Sequence, residues 1–223
     1  AEAAPDELSA IVNIMPAPPL PFLPVEYHGR PVVMATLAYA GDVEAGQRAV
    51  APFRALAAPI ADMIRPMRYP ELYPPEEEGF HPVVVTRTMF MDSVDRRMAE
   101  AIVDQIQAST AQMAIAQLRV LGGAVARVPV EATAYAHRKR RVLGNVVAVY
   151  QRPEETAAHA AWATGLAAAL SQGEPGAYGN FVGNEGAAKV REVYPGPTWD
   201  RLRAVKARYD PTNLFRLNHN IPP

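Results

Sequence analysis

The run Val83-Val84-Val85-Thr86-Arg87-Thr88-Met89-Phe90 is followed by Asp92, by apolar residues four apart at Val94, Met98, Ile102 and Ile106, and then by Gln112 to Val120. Each part has its own period. The β-branched first run suits a strand, the four-residue spacing makes one apolar helix stripe, Asp92 is placed to cap that helix, and 112–120 returns to extended chain. Together they read as a strand, a helix and a second strand.

Working outward, Pro31 to Tyr39 is a second apolar strand candidate that ends at Gly41-Asp42. Asp42 can cap a helix carrying Val43, Val50, Phe53 and Leu56. Pro59 to Pro82 is rich in proline, with Pro74-Pro75-Glu76-Glu77-Glu78-Gly79 expected as an exposed loop. Beyond Val120, Gly122-Gly123 can supply positive φ for a bulge or tight bend. Val128 to Tyr135 and Val142 to Gln151 read as further strands flanking the basic run His137-Arg138-Lys139-Arg140-Arg141, which is expected as a solvated hairpin tip. A helix with Ala158, Trp162, Leu166 and Leu170 follows, then a Gly-rich segment, then a helix with Trp199, Leu202, Val205 and Tyr209. Strands outnumber the crossovers a parallel sheet needs, so the expected class is α+β, a mostly antiparallel sheet backed by helices.

Three parts are expected along the chain: a Pro-rich leading segment (1–30), an α+β domain (31–175) and a C-terminal segment (176–223). The 223 residues are 49% hydrophobic, enough for a sizeable core. A net charge of −1 gives no electrostatic footprint for nucleic acid or an anionic membrane, so neither is expected as a partner. With no cysteine and five histidines lacking HxH or HExxH spacing, no metal site is expected. No signal peptide is visible and no apolar run reaches the roughly 18 to 20 residues of a membrane helix, so a cytoplasmic location is expected.

The last fifteen residues, Tyr209 to Pro223, carry the most specific pattern. Asp210-Pro211-Thr212-Asn213 is turn chemistry that can end a helix, with proline fixing φ and Asx side chains bonding nearby backbone. Asn218 and Asn220 would point to the same side in an extended segment. Paired amides suit the edge of a flavin ring, and equally suit stitching a tail to a sheet.

Lys206-x-x-Tyr209-Asp210-Pro211-x-Asn213-x-Phe215 and Asn218-x-Asn220-Ile221-x-Pro223 resemble the C-terminal signature of the berberine-bridge-enzyme-like FAD-linked oxidases. Tyr39-Ala40-Gly41-Asp42, Gly122-Gly123-Ala124, Thr133-Ala134-Tyr135-Ala136-His137-Arg138 and Tyr178-Gly179-Asn180-Phe181 are similar to further segments of that family, in the same order. The resemblance implies the substrate-side half of a flavoenzyme. FAD would be held mainly by an N-terminal domain that is missing from this stretch, so the fragment alone is expected to be inactive.

The implied reaction is oxidation of an alcohol or amine-bearing carbon of a small molecule by hydride transfer to flavin N5, with O2 as acceptor. Tyr178 is the implied catalytic base. A phenol starts near about 10, so it needs cations or donors nearby to act near neutrality. Asn180, Asn218 and Asn220 are the implied flavin-contacting residues, and Arg138 and Tyr135 the implied substrate-binding ones. Many members carry a second tyrosine where this chain has Phe181, which leaves the proton to Tyr178 or to a residue outside these motifs. The alternative is a free-standing, non-redox binding module that has lost the cofactor domain. A homodimer through an exposed interdomain face is a further expectation.

Other patterns have bland explanations. Gly179 to Gly186 lacks the spacing of a phosphate loop, and Glu185 would repel an anion. The methionines, Trp162 and Trp199 are expected as core, while Tyr69 and Tyr73 could form part of a substrate wall.

Overall fold

A computed structural model describes residues 3–73, 79, 81–173, 175–183 and 185–223. The acidic loop expected at 74–79 lies outside the described residues apart from Gly79. Five strands form one antiparallel sheet in the order β2-β1-β4-β5-β3, with β1 at Leu8–Pro16, β2 at Pro31–Tyr39, β3 at Val83–Met91, β4 at Met113–Val120 and β5 at Val142–Tyr150. Four of them stand where the apolar periodicity puts them, and the expected α+β class holds.

β1 is the exception. It lies inside the leading segment expected to be merely Pro-rich, yet it pairs β2 along its whole length and β4 through Ile11–Ile14. Its prolines fall at its end and in the loop after it, so they remove no ladder hydrogen bond from its middle. Conversely, Val128 to Tyr135 is not a strand. β4 and β5 already pair with each other, and the intervening chain instead forms α3 (Gly123–Arg127) and a 3-10 turn at Val130–Ala132. Gly122 and Gly123 have φ of 132° and 47° as expected of a tight bend, but they open this short helix rather than a hairpin. The basic run is therefore no hairpin tip, and His137 within it is buried.

Helices back one face of the sheet. Asp42 caps α1 (Val43–Arg54) through the Ala45 N–H at 2.9 Å, although Val43 and Leu56 of the expected stripe are exposed. α2 (Arg96–Ala108) is capped by Asp95, which accepts from Met98 N–H at 2.7 Å, and not by Asp92; Val94 falls before the helix. Asp92 sits too far ahead of the first turn and takes Arg140 instead, at 3.3 Å. α4 (Thr156–Leu170) crosses β3 and β5, and Trp162 donates its indole N–H to Gln105 O of α2 at 2.9 Å. Ala158 points outward there; His159, Ala163, Leu166 and Leu170 point in. The main core lies between these helices and one sheet face, built from Val85, Met89, Met91, Ala116, Val146 and Tyr150 with Met98, Ile102, Ile106 and Leu166. No helix among the described residues is long and apolar enough to cross a membrane.

Strand residues alternate faces, so the other face carries Asn13, Thr86, Thr88, Phe90, Gln117, Arg119 and Asn145. Register aligns Asn13, Gln117, Asn145 and Thr88 in one row across four strands. A 3-10 turn at Gly179–Phe181, α5 (Ala187–Val193) and α6 (Pro197–Tyr209) make up the C-terminal part.

Candidate active site

The turn carrying Tyr178 is anchored on the sheet face opposite the helices. Thr86 donates its hydroxyl to Phe181 O at 2.7 Å, and the Tyr178 N–H reaches Thr88 Oγ1 at 3.4 Å. Asn180 Nδ2 donates to the Tyr178 hydroxyl oxygen at 2.7 Å. Tyr178 meets Tyr135 edge-on at 6.1 Å between ring centres and Phe181 at 5.2 Å.

Beside Tyr178 opens a cleft of about 160 Å³. It is lined by Ala134 and Tyr135, by Ala177 to Asn180, and by Val193 and Tyr194. Burial pushes the Tyr135 hydroxyl above its ordinary value, with the Arg138 charge pulling the other way and Tyr178 adding to the rise. Tyr135 is thus a proton donor near neutrality, not a base. Arg138 does not line the cleft. Its guanidinium stacks 5.1 Å from the Tyr135 ring centre and donates to Thr133 Oγ1 at 2.7 Å and Val125 O at 3.3 Å.

His137 holds the cleft wall together, a role no motif pointed to. Its ring stacks on Phe90 at 4.4 Å, and Nε2 faces Glu192 O at 3.0 Å and Val193 O at 3.2 Å. Two carbonyls can only accept, so Nε2 carries the hydrogen. Gly176 lies against this stack: a Cβ there would come within 2.9 Å of Phe90 Cδ2 and 3.1 Å of His137 Cε1, which only glycine avoids.

The tail motif is a hydrogen-bonded knot, and the expected helix-ending turn is present. The buried Asp210 carboxylate accepts from Leu214 N–H at 2.7 Å, from Phe215 N–H at 3.0 Å and from the Lys206 ammonium, which also reaches Phe215 O at 2.5 Å. Asn213 takes the left-handed φ of 56° that this turn needs. Lys206, Asp210 and Asn213 therefore occur together because each completes the same helix terminus.

Asn218 also has positive φ, 59°, and Asn220 N–H donates back to Asn218 O at 3.1 Å. The segment bends there, so the alternation expected of an extended chain does not govern where the two amides point. Between them, His219 binds Gly179 O at 3.0 Å, which joins the tail to the turn holding Tyr178 and Asn180. Asn218 and Asn220 flank that junction without lining the cleft. Asn220 Oδ1 is buried without a hydrogen-bond partner among the described residues.

Residues 177–222 match the family model described as berberine and berberine like. The chain is 35% identical over 105 residues to an uncharacterized FAD-linked oxidoreductase, YgaK, of Bacillus subtilis (strain 168), covering 47% of this chain and 23% of that protein. It is 26% identical to the (R)-6-hydroxynicotine oxidase of Paenarthrobacter nicotinovorans over 92% of this chain and 47% of that protein. The crystal structure of the glycopeptide hexose oxidase DBV29 complexed with teicoplanin superposes with a TM-score of 0.75 at 23% identity, covering 97% of this chain and 47% of that one. The chain thus spans less than half the length of each of these three proteins. Its fold is that of the matching half of that hexose oxidase. The chain is thus similar to berberine-bridge-enzyme-like FAD-linked oxidoreductases, with the family model matching its C-terminal residues 177–222.

Proposed function

We propose that this chain forms the substrate side of an FAD-dependent oxidase acting on an alcohol or amine-bearing carbon of a small molecule, with O2 as the electron acceptor. The observation that carries this reading is the His219 to Gly179 contact at 3.0 Å, which brings the Asn-x-Asn tail beside the Tyr178-x-Asn180 turn and its cleft. Matching relatives are about twice as long or longer, so the flavin is assigned mainly to a region outside this stretch. Val205, Tyr209, Leu214, Phe215 and Leu217 are exposed along α6 and the tail, an apolar face suited to packing against that region.

The donor set fits a flavin edge: Asn180 and Asn218 are exposed amides, each with donors and an acceptor to offer a ring edge. FAD, when bound, supplies a two-electron acceptor that takes hydride at N5. Tyr178 takes the substrate O–H or N–H proton, because an alkoxide-like donor releases hydride more readily than the neutral group. The Asn180 amide, aimed at the Tyr178 oxygen, stabilises negative charge there. Tyr135, protonated and edge-on to Tyr178, donates to the substrate and keeps bulk water from that side. The full-length protein should show a visible flavin absorption band and substrate-dependent peroxide release. A colourless, correctly folded full-length product would refute the proposal.

A further inference from the structure

Resting on the Tyr178 region as the reaction site, we infer that Arg119 is a specificity-determining residue that binds a carboxylate group of the substrate. Arg119 is half-buried on the sheet face that carries the Tyr178 turn. Its Nε donates to Gln117 Oε1 at 2.8 Å, and Gln117 Nε2 in turn donates to Asn13 Oδ1 at 2.9 Å. Its guanidinium lies 4.8 Å from the centre of the Phe181 ring. One amide and one aromatic plane therefore set the position of the group before any ligand arrives.

No carboxylate among the described residues pairs with it. Glu185, the acid that follows the turn, is engaged by Arg87 at 3.7 Å. The two terminal nitrogens of Arg119 have no acceptor within hydrogen-bond distance among the described residues. A half-buried cation without an anion is costly, and the cost is recovered when an anion arrives. With Nε committed, the two terminal N–H groups form a planar fork that matches two carboxylate oxygens. Phosphate calls for more positive charge than one arginine brings, and the other guanidinium near this turn, Arg87, is already paired.

Phe181 separates this fork from Tyr178. A substrate held at Arg119 would put its reacting carbon about one aromatic ring away, toward the phenol. Hydroxy acids and amino acids whose reacting carbon lies several bonds from the carboxylate have that layout. Arg138 is the less suitable anion reader, because its terminal nitrogens are spent on Thr133 and Val125.

The test is calorimetric binding of acetate, acetamide, benzoate and benzamide to the full-length flavin-containing protein at constant ionic strength, with wild type, Arg119→Gln and Arg119→Lys. At least one carboxylate should bind about tenfold or more tightly than its own amide, the scale of a charge-assisted hydrogen-bonded pair. Arg119→Gln should abolish that ratio, and Arg119→Lys should keep part of it. If Arg119→Gln does not fold, Arg119→Met, whose apolar stem still covers Phe181, takes its place. A purely structural role would leave the acid-to-amide ratio unchanged. No carboxylate preference in wild type, including no binding of either form, overturns the inference, as does a preference that survives in Arg119→Gln. Binding needs no turnover, so an intact Arg119-dependent preference without oxidation would refute the proposed reaction alone. Oxidation of neutral alcohols unaffected by Arg119→Gln, with no carboxylate preference, would refute the Arg119 role alone.

Discussion

Replacing His137 by alanine tests whether this buried ring fastens the cleft wall to the sheet. The change strips the donor from Glu192 O and Val193 O and removes the ring stacked on Phe90 at 4.4 Å. Leaving buried carbonyls unpaired costs about 1–3 kcal/mol, and losing the stack costs about 0.5–1.5 kcal/mol. A total of about 2–4 kcal/mol corresponds to a fall in melting temperature of roughly 4–16 °C for a chain of this size. Acidity gives a second readout. Burial holds His137 below its ordinary value, with the two carbonyl contacts pulling the other way and Arg140 adding to the depression. The unfolded chain therefore binds the proton first, near pH 6.5. Wild-type stability from this group is fully present above that value, is lost as pH falls from there through the lowered folded value, and is flat below it. Thermal unfolding of both proteins between pH 5 and 8 should show the widest gap above about pH 7 and a narrower one below about pH 6. Melting within 2 °C of wild type, or a gap that widens in acid, would refute the reasoning. His137→Gln, which keeps an amide donor, should recover part of the loss.

Other substitutions probe other parts of the molecule. Tyr178→Phe in the full-length protein should lower kcat by about 10²- to 10⁴-fold with little change in KM, as loss of a proton acceptor does, while Asn180→Ala should cause a smaller loss; steady-state peroxide assays distinguish them. Gly144→Val should destabilise by about 1–3 kcal/mol in denaturant titrations, because its Cβ would stand 2.5 Å from Met89 Sδ and 2.8 Å from Met91 Cε. Asp210→Asn should loosen the tail knot and lower resistance to C-terminal proteolysis. The Lys206 ammonium, then the Leu214 and Phe215 N–H groups, hold the Asp210 carboxyl below the usual range. That stabilisation is present above pH about 4 and is lost as pH falls through the folded value, so the variant should lack this part of the acid sensitivity seen in wild type.

The sequence alone determined what depends on neighbours a few residues away. Strand 83–91 and the Met98, Ile102, Ile106 stripe were legible because alternation and four-residue spacing follow from local backbone geometry. Lys206, Asp210 and Asn213 were legible as a motif because one helix end needs all three within a few residues. Only the tertiary structure decided the rest. Leu8–Pro16 became a strand because β2 and β4 offered it two edges, while Val128 to Tyr135 did not because β4 and β5 had already taken each other. Asp95 displaced Asp92 as the cap because packing set where α2 begins. No motif gave His137 or Arg119 a role; alternation along 113–120 could have placed Gln117 and Arg119 on one face, but not what that face meets. What they meet includes chain more than fifty residues away, Glu192 and Val193 for His137 and Phe181 for Arg119, and local spacing holds no information about contacts of that range.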